Sequence, residues 1–221
     1  LGLRQRLASA TGGIVEDTIG TVDGQSRGLI IAENTTNKMT NPIFGHATWN
    51  NGWTADSAII ATQNTDPDFV LFGISSAKVI RGAGATLEFS QSIAVGNTNA
   101  HVISCYAKRP DGAAVTVADV QLYYNALITT TYTSVGNGWY RLSGSVTGIA
   151  AATETGIRVM AVGRTVYVDG FQLEEASYLS PLVYGDLIGC SWNSTAHAST
   201  STRTTGRVKV ALADSFSLAE G

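Results

Sequence analysis

Short runs in which apolar and polar residues alternate recur along almost the whole of this chain, and no stretch sustains the 3.6-residue stripe of an amphipathic helix. Alternation with period two places successive side chains on opposite faces of a pleated strand. The pattern predicts strands over Gly28 to Ala32, Ser57 to Thr62, Phe69 to Ile74, Thr86 to Ile93, His101 to Lys108, Val115 to Tyr124, Trp139 to Val146, Ile157 to Val162 and Thr165 to Leu173. Between them stand Pro110-Asp111-Gly112, Gly136-Asn137-Gly138 and Val162-Gly163-Arg164, each suited to a turn or a positive φ. So many short strands at regular spacing require two sheets, in a sandwich or barrel, rather than parallel α/β units.

A chain of 221 residues with 44% hydrophobic and 14% charged residues can bury a sizeable core, as one principal domain. Its formal net charge of −3 supplies no positive field for a phosphate backbone, so nucleic acid is not an expected partner. No apolar run approaches the roughly 20 residues that cross a bilayer, so membrane insertion is not expected either. Leu1 to Ala10 carry no apolar region of a signal peptide, and a start at Leu1 is what a piece cut from a longer polypeptide would show. Cys105 and Cys190 are too far apart in sequence for a zinc or redox motif and leave one disulfide or two free thiols as alternatives.

Two regions stand outside the alternating body. Gly185 to Thr205 is small, polar and turn-rich, as in a loop or linker, and Arg207 to Leu212 then alternates as a final strand. At the other end, Gly12-Gly13 and Asp23-Gly24 flank the weak strand Ile14-Val15. Both ends are expected to act as docking arms.

The sequence carries few signs of catalysis. His46, His101 and His197 form no HExxH or comparable motif, and no nucleophile elbow, P-loop or dinucleotide fingerprint occurs in a strand-turn-helix setting. The pair Glu174-Glu175 would point to opposite faces of one strand, a poor arrangement for two glycosidase carboxylates that must flank one bond. The chain is therefore expected not to be an enzyme. Aromatic residues offer more, because the apolar faces of sugar rings stack on Trp and Tyr. Trp49 and Trp53, in an Asn/Gly-rich stretch, and Tyr123 and Tyr124, at a strand end, are the candidate sugar-stacking residues.

Asn41-Pro42-Ile43-Phe44 followed by Asn51-Gly52-Trp53-Thr54 resembles the opening of carbohydrate-binding modules of the family 4/9 type. Val102 to Lys108 is similar to their Ser-x-Tyr-x-Lys strand, Gly138-Trp139-Tyr140-Arg141-Leu142-Ser143 to their Gly-Trp-Tyr-Arg strand, and Val166 to Glu174 to their closing strand. The resemblance covers about residues 41 to 184. It implies a jelly-roll β-sandwich of galactose-binding-like type, a polysaccharide ligand and often a structural calcium ion. Asp169 matches the closing-strand acid and is the one carried-over candidate calcium ligand, while Gly45-His46 replaces the Glu expected after Phe44. Trp139, on the strand motif, is read as core.

A second resemblance concerns setting. Arg27 to Asn37, and the exit Tyr184-Gly185-Asp186, Gly189-Cys190-Ser191-Trp192 and His197-Ala198-Ser199, look like segments that flank such modules in bacteriophage tail and virion structural proteins. The chain is thus expected to be all-β, with an N-terminal arm (1–40), a jelly-roll sandwich (41–184) and a linker with a C-terminal strand (185–221). The expected role is that of a non-catalytic component of a phage-type virion or tail surface, with copies of itself, other virion proteins or cell-surface polysaccharide as partners. The alternative is a secreted sugar-binding module attached to a glycoside hydrolase. Either role implies a virion-surface or extracellular location and no cofactor beyond that calcium ion.

Overall fold

The computed structural model describes residues 16–22, 25–30, 34–85 and 87–204. It divides into two compact units. In the first, the described residues form one antiparallel hairpin, β1 (Glu16–Val22) with β2 (Gln25–Ile30), which overlaps the strand predicted from Gly28. Ile14-Val15, the turn residues Asp23-Gly24 and the strand predicted over Arg207 to Leu212 lie outside the described residues.

The second unit, Asn34–Arg203, is the sandwich. Its strands are β3 (Thr35–Asn37), β4 (Thr54–Ala55), β5 (Ile59–Asn64), β6 (Ser76–Arg81), β7 (Glu88–Ile93), β8 (Ala100–Lys108), β9 (Val120–Tyr124), β10 (Thr131–Gly136), β11 (Trp139–Thr147), β12 (Thr153–Val159), β13 (Thr165–Glu175), β14 (Cys190–Trp192) and β15 (Ser201–Arg203). A six-stranded sheet runs β10-β11-β8-β13-β6-β5 and a four-stranded sheet runs β4-β7-β12-β9, every pairing antiparallel. The only helical element among the described residues is one 3-10 turn, Pro67–Phe69, so no helix there is long and apolar enough to cross a membrane. The chain is an all-β sandwich.

Alternation explains the core. Ile103, Cys105 and Ala107 of β8, Phe89 and Ile93 of β7, Val120, Leu122 and Tyr124 of β9, Ile157 and Val159 of β12, and Val166, Val168, Phe171 and Leu173 of β13 share one buried cluster between the two sheets. Tight turns close the hairpins where Gly and Asn relieve the left-handed region. Gly136, Asn137 and Gly138 all have positive φ between β10 and β11, at 96°, 52° and 77°.

The predicted strand over Phe69 to Ile74 does not form. Asp66 caps the 3-10 turn that Pro67 starts, and the N–H groups of Leu71 and Phe72 donate to Asp169 Oδ2 at 3.0 and 2.9 Å instead of to a neighbouring strand. Likewise only the second half of Val115 to Tyr124 is strand, because Thr116 N–H and Oγ1 are both drawn to Asp119 Oδ2 at 2.8 Å.

The segment expected to be a linker carries β14 and β15, which pair with β3 in a three-stranded sheet. Asp186 organises it, accepting from Trp192 Nε1 at 2.8 Å while its other oxygen lies 3.2 Å from His197 Nε2. The His197 ring rests against Gly45, where a Cβ would come within 2.6 Å of Cε1. Gly45 thus makes room for His197. Substituting Gly45 by valine is therefore expected to loosen this segment, read as faster proteolysis between residues 185 and 200; cleavage unchanged from the parent would contradict the packing.

Candidate functional site

The sheet ladders set four side-chain positions in a row across the four-stranded sheet. Gly156 on β12 lies opposite Tyr123 on β9 and Ser90 on β7, and Ser90 lies opposite Thr54 on β4. These residues alternate with the core residues Leu122, Phe89 and Ile157, so they face away from the core. At a strand spacing of about 4.8 Å the row runs about 14 Å across the strands. Gly156, Ser90 and Thr54 give it a low floor, and Gly156 must be glycine, since a Cβ there would meet the Phe89 carbonyl oxygen at 2.2 Å.

A second row borders the first. Arg158 lies opposite Gln121 on β9 and Glu88 on β7, and Asp56 N–H donates to the Glu88 carbonyl at 3.0 Å. Arg158 donates to Glu88 Oε1 through Nε at 2.6 Å and also through Nη2, and its guanidinium carbon sits 5.0 Å from the Tyr123 ring centroid. On the far side, Glu154 is exposed opposite Ser92. The outcome is a shallow trough whose small floor residues Ser90 and Gly156 are themselves buried, with the half-buried Tyr123 at one end and charged side chains alongside, of which Glu154 is exposed and Glu88 is buried against Arg158. Such a surface can take hydroxyl groups along its walls and an apolar ring face against Tyr123.

The predicted stacking residues separate. Tyr123 lies in the trough, with its hydroxyl donating to Asn125 O at 3.2 Å. Tyr124 points the other way, 5% exposed, its hydroxyl accepting from Ile149 N–H at 2.8 Å. Trp53 is likewise 5% exposed and packed between aromatic rings, with centroids 4.9 Å from Phe89, 4.5 Å from Phe171 and 5.4 Å from Phe44. Trp53 and Tyr124 therefore offer no free face to a ligand. Trp49 is half-buried and leans on the same rings, 6.1 Å from Phe44 and 6.4 Å from Phe89. The Asn41-Pro42-Ile43-Phe44 motif explains both tryptophans: the buried Asn41 donates to Trp49 O at 2.7 Å, and its own carbonyl accepts from Trp53 Nε1 at 3.2 Å. Trp139 is buried, at 2% exposure.

Asp169 does not suit calcium. It is fully buried, with Oδ2 accepting from Leu71 and Phe72 N–H and Oδ1 from Gly170 N–H at 2.8 Å, so both oxygens face donors that would repel a cation. Among the described residues no group of three or more His, Cys, Asp or Glu is arranged to hold a metal ion. The role of Asp169 is to pin the loop after the 3-10 turn onto β13.

Burial pushes the Asp169 carboxyl up from 3.8 to about 7, against the three N–H donors that pull it down. The folded chain thus keeps a proton that the unfolded chain loses, so the stability from this group is full below about pH 4 and is lost as pH rises through about 7. Asp169→Asn is expected to flatten that decline in urea-denaturation midpoints between pH 4 and 8. Parallel pH profiles for the two proteins would contradict it.

The other candidates have structural partners. His101 is buried with Nδ1 3.0 Å from Asn99 O, and His46 Nδ1 accepts from Thr48 N–H at 2.9 Å in an exposed turn. Glu174 is buried and accepts from Ser180 N–H and Oγ, whereas Glu175 is exposed and accepts from Asn97 and Asn99, so the two do point apart. Both cysteines are free, Cys105 buried and Cys190 half-buried. A cavity of about 390 Å³ lies between the turns Arg109–Asp111 and Ala161–Thr165. Its arginines are already held by Asp119, 3.4 Å from Arg109 Nη1 and 3.0 Å from Arg164 Nε.

No protein-family profile and no curated protein matches the sequence. Solved structures do. The CBM22-1 xylan-binding domain of Paenibacillus barcinonensis Xyn10C superposes with a TM-score of 0.51 at 17% identity, over 67% of this chain and all (100%) of that domain. The CBM22-1–GH10 modules of Clostridium thermocellum endo-1,4-β-D-xylanase 10B, complexed with xylohexaose, give 0.43 at 13% identity, over 68% of this chain and 29% of theirs. The enzymatically active domain of bacteriophage CBA120 tailspike protein 4 gives 0.39 at 14% identity, over 62% of this chain and 21% of its own. The fold of the sandwich is that of a carbohydrate-binding module.

Proposed function

We propose that this chain is a non-catalytic sugar-binding sandwich whose ligand lies across the four-stranded sheet, along Tyr123, Gly156, Ser90 and Thr54. The observation that carries this reading is the trough itself, a small-residue floor with an aromatic ring at one end and charged side chains alongside. The fold shared with a xylan-binding domain supports it. A non-catalytic role is supported by the acids present: Glu88 is held in an ion pair by Arg158, and Asp56 is tied to the Glu88 backbone, accepting from its N–H at 3.0 Å, so neither is left free to act as a glycosidase acid or nucleophile. The experiment is calorimetric titration with neutral hexasaccharides of the xylo-, cello-, manno- and laminari- series. One saturable site for at least one of them is expected, and no heat with any would refute the reading.

The setting we infer is a phage-type virion or tail surface, with the module as a building block that contacts cell-surface polysaccharide and copies of itself. The flanking motifs from Arg27 to Asn37 and from Tyr184 to Ser199 support this reading, and the ordered motifs from Asn41 to Glu174 support kinship with family 4/9-type modules. The other setting is a secreted module attached to a glycoside hydrolase. Light scattering across a concentration series separates them: a defined oligomer or growing filament is expected of the virion role, and a monomer at all concentrations would favour the secreted one.

A further inference from the structure

The cavity between the turns Arg109–Asp111 and Ala161–Thr165, about 390 Å³, falls within the roughly 300–1,000 Å³ of small-ligand sites. Asp119, 1% exposed, meets two of its arginines through a single oxygen: Oδ1 lies 3.0 Å from Arg164 Nε and 3.4 Å from Arg109 Nη1, while Oδ2 accepts from Thr116 N–H and Oγ1. The other donors of Arg109 go to Asp111, which accepts from Nε at 3.1 Å and from Nη2 at 2.6 Å. Arg164 lines the cavity, and neither of its Nη groups has a hydrogen-bond or ion-pair partner among the described residues. Arg81 is tied to the same turn, its N–H donating to Arg164 O and its carbonyl accepting from Gly163 N–H, and its guanidinium meets only the backbone carbonyls of Val159 and Met160. Three guanidinium groups against two carboxylates leave one positive charge unmatched.

We propose that this cavity is a binding site for a uronic acid sugar, whose carboxylate is gripped by the two Nη groups of Arg164. A planar guanidinium with both Nη groups free presents parallel donors that match the two oxygens of a carboxylate. The unmatched positive charge favours that anion over a neutral group. The lining also holds what a bare anion would not use. Asp111, with its side chain 54% exposed, is an acceptor for ring hydroxyls, and Val162, 64% exposed, sets an apolar side chain beside them for a ring face. Donors for an acid group next to an acceptor for hydroxyls suit a sugar acid better than phosphate or acetate alone. The cavity lies past the end of β12, beyond Arg158, so it is separate from the row at Tyr123 and Gly156 and stands whether or not neutral sugar binds there.

The test is amide NMR of the full chain titrated with the methyl glycosides of glucuronic, galacturonic and mannuronic acid, each beside its neutral parent sugar, and with acetate and inorganic phosphate as bare anions. At least one uronoside is expected to shift Asp111, Gly163 and Thr165 saturably, to bind about tenfold or more tighter than its neutral parent, and to weaken as salt is raised. Arg164→Gln should lower that affinity by about tenfold or more. Arg164→Lys keeps a cation beside Asp119 but loses the fork, so it should weaken binding too and remains a readout if the glutamine variant fails to fold. Several results would each overturn the proposal: a uronoside bound no better than its neutral parent, acetate or phosphate bound as tightly as every uronoside, parental affinity in Arg164→Lys, uronoside shifts centred on Tyr123 and Gly156, or no saturable uronoside binding. The neutral-hexasaccharide titrations decide the trough separately.

Discussion

Replacing Trp53 by alanine is expected to cost about 3–5 kcal/mol of stability, the largest effect of any single substitution considered for this chain. The ring is 5% exposed, sits 4.9 Å from Phe89 and 4.5 Å from Phe171, and donates its indole N–H to the Asn41 carbonyl. Truncation would open a cavity among rigid aromatic neighbours that cannot collapse into it, and would remove one of the two donors to Asn41 O, leaving Phe44 N–H at 3.3 Å. Trp49→Ala, at a half-buried position on the rim of the same cluster, should cost less. Urea unfolding of both variants checks the order. A Trp53→Ala protein as stable as its parent but unable to bind sugar would mean that this tryptophan is a ligand platform and not core.

That substitution marks where sequence reading stops. The spacing of Trp49 and Trp53 in an Asn/Gly-rich stretch suits an exposed sugar platform equally well, and only the hydrogen bonds of Asn41, made with residues later in the chain, turn both inward. Long strands such as β8 and β13 are legible because their alternation persists over nine and eleven residues. β3, β14 and β15 are three residues each, too short to show a period, and exist because they pair with one another across the length of the unit. Phe69 to Ile74 has a strand's composition, yet its N–H groups are taken by Asp169, almost a hundred residues away. The trough is hidden for the same reason. Tyr123 could be picked out by chemistry and strand position, whereas Asp56, Glu88, Gly156 and Arg158 carry no local motif and become neighbours only through the register of four strands.

Tyr123→Ala is expected to weaken neutral-oligosaccharide binding by about tenfold or more, equivalent to roughly 1.4 kcal/mol or above, while leaving the fold intact. The ring is half-buried on the outer face, so its loss removes the stacking surface without opening the core. It also removes the cation–π contact with the Arg158 guanidinium, 5.0 Å from the ring centroid, which then keeps only its pairing with Glu88. Tyr124→Phe, at the last residue of the same strand and facing the core, should bind sugar as the parent does and lose only the hydrogen bond from Ile149 N–H. Calorimetry on the pair reads both effects, with thermal unfolding as the check on folding. Equal affinity in Tyr123→Ala and the parent would place the sugar elsewhere.

The most direct test of the sugar-binding trough is backbone amide NMR of the chain during titration with the neutral hexasaccharide that binds best. The account predicts shift changes centred on Gln121, Tyr123, Ser90, Gly156 and Arg158, across the outer face of the four-stranded sheet. Changes confined to the cavity between Arg109–Asp111 and Ala161–Thr165, or no change anywhere with the whole neutral panel, would contradict it.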